Sequence, residues 1–112
     1  TLMEMLIVVA IIAVLVAVAI PTFSSQLHKA RVATDWANVR SYYAQLQYEF
    51  METGEINKAY LHELGTPGLN SFYLSGQEIT LKAGSIWIAE CPNGYNILYY
   101  CNEEHGGCQL VL

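Results

Sequence analysis

One stretch constrains the fold more than any other. Thr1 to Ile20 reads TLMEMLIVVAIIAVLVAVAI, with one ionisable side chain, Glu4, among nineteen uncharged residues, and Pro21 closes the run. Met5 to Ile20 is sixteen consecutive apolar residues. At a helical rise of about 1.5 Å per residue, Leu2 to Ile20 spans about 28 Å, close to a bilayer core of about 30 Å. The chain therefore reads as a soluble head on an apolar stalk surrounded by lipid, by other stalks, or by both. A signal peptide is the rival, and Ala17-Val18-Ala19 supplies an A-x-A pattern. That rival needs a basic n-region, whereas no Lys or Arg precedes Lys29. The expectation is a retained stalk.

Glu4 admits two compatible readings. A carboxylate at mid-membrane costs about 2.5–3.5 kcal/mol on insertion scales, so an acid in a span points to function. Thr1-Leu2-Met3-Glu4 also fits S/T-x-x-E, so Glu4 can close a capping box and complement the helix dipole.

The segment Thr1-Leu2-Met3-Glu4-Met5-Leu6-Ile7-Val8-Val9-Ala10-Ile11-Ile12-Ala13-Val14-Leu15, with Pro21 after it, resembles the N-terminus of type IV pilins and the related pseudopilins. The resemblance covers about the first 25 residues; beyond them only the layout is similar. It implies cleavage by a prepilin peptidase and a methylated residue, usually Phe, just before Thr1. It assigns Glu4 to pairing with the terminal amine of a neighbouring subunit, the partner that a buried charge requires. Pro21 takes the role of a bend or melt in the helix. Leu6, Ile7, Val9, Ala10, Ala13 and Val14 become stalk-packing residues. Relatives often carry glycine where this chain has Ala13, and Ala favours helix by about 1 kcal/mol. The stalk is thus expected to stay helical further toward Pro21.

Five Lys and Arg against ten Asp and Glu give a net charge of −5. That balance argues against nucleic-acid binding through phosphates, which needs basic clusters. The head is large enough to bury a modest core. After Pro21, Val32, Trp36, Val39, Tyr43, Leu46 and Phe50 recur at intervals of 4, 3, 4, 3 and 4, one face of an amphipathic helix. Arg31, Asp35, Asn38, Gln45, Glu49 and Glu52 fall on the opposite side, and Gly54 ends the helix. The expected layout is an apolar half-helix over residues 1–21, an amphipathic half over 22–53, a connecting loop over 54–77 and a sheet over 78–112. Ile56, Tyr60, Leu61 and Leu64 suggest a short helix in that loop, ended by Gly65. His28 and His62 read as surface side chains.

Glu78–Lys82, Ser85–Cys91, Tyr95–Cys101 and Gln109–Leu112 read as strands. Asn93-Gly94 predicts a two-residue hairpin in which Cys91 faces Asn96 and Ile86 faces Cys101. Ile86, Ile88, Ile97, Tyr99, Cys101, Leu110 and Leu112 then share the core face. Trp87, Ala89, Cys91, Leu98 and Tyr100 take the outer one. Cys91 and Cys101 lie on opposite faces, about 17 Å apart along the hairpin, too far for a bridge. Cys101 and Cys108 flank a six-residue turn, Asn102 to Gly107, directly opposite each other. They are the expected disulfide, suited to an exported head and contributing about 2–3 kcal/mol on the entropy model. Cys91 is left as a buried thiol or an intersubunit crosslink.

Cys101-x3-His105-x2-Cys108, with Cys91, could be a zinc cluster, although zinc cysteines usually pair at closer spacing. Asn102, Glu103 and Glu104 could hold calcium, although no Asp-rich ladder accompanies them. Neither is favoured, and no cofactor is expected. No nucleophile–base pair or paired carboxylates point to an enzyme. The fold class read from the chain is α+β: a long N-terminal helix packed on a four-stranded antiparallel meander. The function implied by the resemblance is a structural subunit of a type IV pilus, with self-assembly as the main partnership. Its precursor would be a single-pass membrane protein with the head outside. Lys29, Arg31 and Arg40 all follow the span, so that orientation comes from the family rather than from charge. The alternatives are a pseudopilin of a secretion or DNA-uptake machine and a monomeric membrane-tethered binding domain.

Overall fold

The structure, a computed structural model, describes residues 1–102 and 108–112. Helix α1 covers Leu2–Thr53. Five strands follow: β1 Ser71–Leu74, β2 Gln77–Thr80, β3 Gly84–Cys91, β4 Gly94–Cys101 and β5 Leu110–Val111. They form two antiparallel sheets, β1-β2 and β3-β4-β5. The chain groups into two compact units, Thr1–Ala30 and Arg31–Leu112. The class is α+β, but the single four-stranded meander is replaced by two sheets.

The extra strand and the split have one local cause each. Ser75 and Gly76 sit at φ 52° and 83°, with Leu74 paired to Gln77 across them. Two positive φ values in a two-residue loop are those of a type I′ turn, whose twist suits a hairpin. The region expected as loop thus contains β1, which captures β2. Leu81 N still follows the β1–β2 register, donating to the Asn70 carbonyl at 2.7 Å; the next two amides leave the ladder, Lys82 N and Ala83 N donating to the Asp35 carboxylate at 2.8 and 2.7 Å. β3 starts afresh after that diversion. The short helix expected at residues 56–64 is only a 3-10 turn at Lys58–Tyr60.

Within the unit from Arg31 onward, the buried helix positions are Val32, Asp35, Val39, Tyr42 and Leu46. Their spacing is 3, 4, 3, 4. The expected stripe is right in register along the axis but rotated. Val32, Val39 and Leu46 hold the centre, while Trp36, Tyr43 and Phe50 flank it, partly buried. Asp35 is therefore a correction: it lies in the core at 0% exposure instead of on the polar side. Its carboxylate also accepts from Tyr99 Oη at 2.8 Å. Three donors on one buried acid satisfy it, as a buried charge demands. Burial, and then this hydrogen bond to Asp35, raises the Tyr99 phenol well above its ordinary 10.0.

The β3–β4 hairpin is slipped from expectation. Cys91 pairs with Gly94, Ile86 with Tyr99 and Gly84 with Cys101. Pro92 and Asn93 fill the turn, and Asn93 is not among the positive-φ residues. In the expected register Pro92 would flank the turn, where a ladder amide is needed and proline has none. The turn instead uses its fixed φ. The slip is even, so faces are kept: Ile86, Ile88, Ile97, Tyr99 and Leu110 are buried as expected. Two glutamines on α1 hold the hairpin tips. Gln45 Oε1 accepts from Ser75 N at 3.0 Å, and Gln47 Oε1 accepts from Tyr95 N at 2.8 Å.

Candidate functional site

The candidate site is the surface of the first unit. α1 begins with Met5 N donating to the Thr1 carbonyl at 3.2 Å. Every residue from 1 to 27 is exposed. The most apolar window of α1 has a mean hydropathy of 3.0 and none of it is buried. A core helix of equal hydropathy would be covered by its own chain, so this surface is left for something else. The helix is long and apolar enough to cross a membrane. Leu6, Ile7, Val9 and Val14 are 62%, 59%, 63% and 65% exposed. Ala10 and Ala13 are exposed as well, so all six expected packing residues stand open.

Glu4 lies in the first turn, exposed. Among the described residues it has no hydrogen-bond or ion-pair partner, and neither side-chain bond of a capping box with Thr1 is present. The favourable position at the positive end of the dipole remains.

Pro21 lies inside a helix that runs unbroken past it, so the residue does not melt a turn in this structure. Proline leaves the carbonyl one turn back, that of Ala17, without its amide donor. Around it, Thr22 Oγ1 donates to the Val18 carbonyl at 3.3 Å and Ser24 Oγ to the Ile20 carbonyl at 3.2 Å. Hydroxyls bonded back into their own helix expose fewer unpaired polar groups, the arrangement an apolar surrounding requires.

Cys101 and Cys108 are joined, with Cα atoms 5.8 Å apart. The β4–β5 register, Leu98 to Val111 and Tyr99 to Leu110, places them opposite one another when continued. The bond removes two thiolates from the zinc alternative. Glu103, Glu104 and His105, which the zinc and calcium alternatives invoke, lie outside the described residues. Cys91 is a free thiol, half-buried beside the β3–β4 turn. His62 is half-buried too: its ring Nε2 meets the Pro67 carbonyl and its backbone bridges to Ile88. No family model, curated protein or solved structure matches this chain.

Sequence reasoning missed Asp35, Gln45 and Gln47. A signal for Asp35 existed. It completes the 3, 4, 3, 4 series from Val32 to Leu46, and only its charge argued against a core position.

Proposed function

We propose that this chain is a structural subunit that polymerises through its apolar N-terminal helix into a helical filament of the type IV pilus class. The observation that carries the reading is the uncovered apolar surface of residues 1–27 with Glu4 unpartnered at one end. Sixteen large apolar side chains between Leu2 and Leu27 are exposed. Full burial is worth about 1.5–3 kcal/mol for each such side chain, so covering them yields tens of kcal/mol. That far exceeds the roughly 2.5–3.5 kcal/mol cost of a carboxylate at mid-membrane. The stalk therefore enters an apolar environment whatever Glu4 does.

Glu4 decides between environments instead. Lipid tails are as apolar as Leu, so moving the stalk from lipid onto other stalks gains little hydrophobic energy. In lipid the acid is unpaired; beside a neighbour's terminal amine it has a countercharge. A repeated head-to-tail contact that does not close generates a helix of subunits. In this reading the precursor waits in the cytoplasmic membrane with its head outside and is matured by a prepilin peptidase. The filament then stands on the bacterial cell surface.

The test is electron microscopy of the full chain after removal of detergent, with Glu4→Ala alongside. The expected result is filaments from the native sequence. The variant should keep its near-ultraviolet circular dichroism but lose at least most of its filament yield. Equal yields, or native chains that stay dispersed as single anchors, would refute the reading.

A further inference from the structure

A cleft in the head lies between α1 and the β1–β2 hairpin, with a volume of about 450 Å³. Tyr42, Tyr60, Phe72 and Tyr73 supply its aromatic walls, and Gln45 and Glu49 complete the part that matters here. Glu49 is the one charged residue that lines it. Tyr42 and Phe72 stack with centroids 4.3 Å apart, and Tyr95 braces the Tyr60 ring edge-on at 6.2 Å. Tyr73 is 65% exposed and stands directly across the hairpin from Glu78. Gln45 fixes the wall: its Nε2 donates to the Tyr73 carbonyl at 3.4 Å while Oε1 holds Ser75 N. The Tyr42, Phe72 and Tyr60 rings and the backbone beneath Tyr73 are thus held before any ligand arrives, and the exposed Tyr73 ring stands at the rim.

We propose that this cleft binds a quaternary ammonium group, the trimethylammonium of choline being the type. Ring faces attract a cation within about 6 Å of their centroids, and the carboxylate supplies the countercharge. The field of Glu49 is felt across the cleft. Its carboxylate, by accepting a hydrogen bond, is the main cause that pushes the Tyr60 phenol up to about 12, and after burial it helps raise Tyr42. An anion is repelled there. A primary ammonium needs several acceptors for its three donors, and Glu49 is the one carboxylate that lines the cleft. A sugar needs paired donors and acceptors, and both ends of the Gln45 amide are already engaged. A methylated cation asks only for ring faces and one negative charge.

This inference does not depend on filament assembly. Its test uses the full chain in a maltoside micelle, which carries no ammonium, and follows line broadening of choline methyl protons. Choline should bind at least ten-fold more tightly than 3,3-dimethylbutan-1-ol, its neutral isostere. Glu49→Gln should weaken choline binding at least ten-fold. Tyr73→Leu, at an exposed ring that leaves the core untouched, should weaken it several-fold. Glycerophosphocholine separates the sources: binding equal to choline points to a lipid headgroup, and binding ten-fold weaker points to a free solute. Equal binding of choline and its isostere, or unchanged binding in both variants, or no broadening at all, would overturn the proposal.

Discussion

Asp35→Ala probes the joint that holds the head together. Asp35 is fully buried and receives three hydrogen bonds, from Lys82 N, Ala83 N and Tyr99 Oη, all at 2.7–2.8 Å. Alanine leaves three donors without an acceptor, and each orphaned buried donor costs about 1–3 kcal/mol. Relief of a desolvated carboxylate works in the other direction. With three donors at the lower end of that range, the loss on balance should be at least about 3 kcal/mol. A typical domain holds only about 5–15 kcal/mol in total. At about 4–8 °C per kcal/mol for a domain of this size, the melting midpoint should fall by at least about 12 °C. Asp35→Asn should fall between, because its oxygen keeps acceptor capacity while its NH2 group meets a donor. The assay is thermal denaturation of the full chain in detergent, followed by near-ultraviolet circular dichroism of the head's Tyr and Trp side chains. An Asp35→Ala midpoint within a few degrees of native would show that the carboxylate is not the joint described above.

Three further outcomes follow from the same region. Tyr99 holds its proton more tightly folded than unfolded, because burial and Asp35 both raise it above 10.0. Its contribution is complete below about pH 10 and is lost as pH rises beyond, so stability should decline there, and less steeply in Tyr99→Phe; a flat profile of midpoint against pH contradicts this. Gly84→Ala should cost about 1–3 kcal/mol by overpacking, since a Cβ there would stand 2.6 Å from Tyr99 Cζ and 2.7 Å from its Oη; an unchanged urea midpoint contradicts it. Replacing Cys101 and Cys108 by Ser together should lower stability by about 2–3 kcal/mol, as closing so short a loop predicts, and a denaturation series with and without reductant checks it.

The parts of the fold legible in the sequence are those carried by periodicity. Val32, Val39 and Leu46 mark the inner face of α1, and Ile86, Ile88, Ile97 and Tyr99 mark the inner face of β3 and β4. The strand faces survived a wrong turn assignment for a geometric reason. Moving the loop from Asn93-Gly94 to Pro92-Asn93 shifts each cross-strand partner by two residues, from Cys101 to Tyr99 opposite Ile86. Side chains alternate with period two, so an even shift exchanges partners without turning any residue over. The disulfide was legible on the same ground, because its loop lies outside the hairpin that slipped.

What was not legible depends on contacts between distant segments. Position in the 3, 4, 3, 4 series marks Asp35 for the core, but nothing local shows what would satisfy its carboxylate there. It is tolerated in the core only because Lys82 and Ala83, 47 and 48 residues away, bring two amides that leave their own ladder. The two departures are therefore one event. The same amides that neutralise a buried acid are missing from the strand connection, which is why β2 and β3 fall in separate sheets.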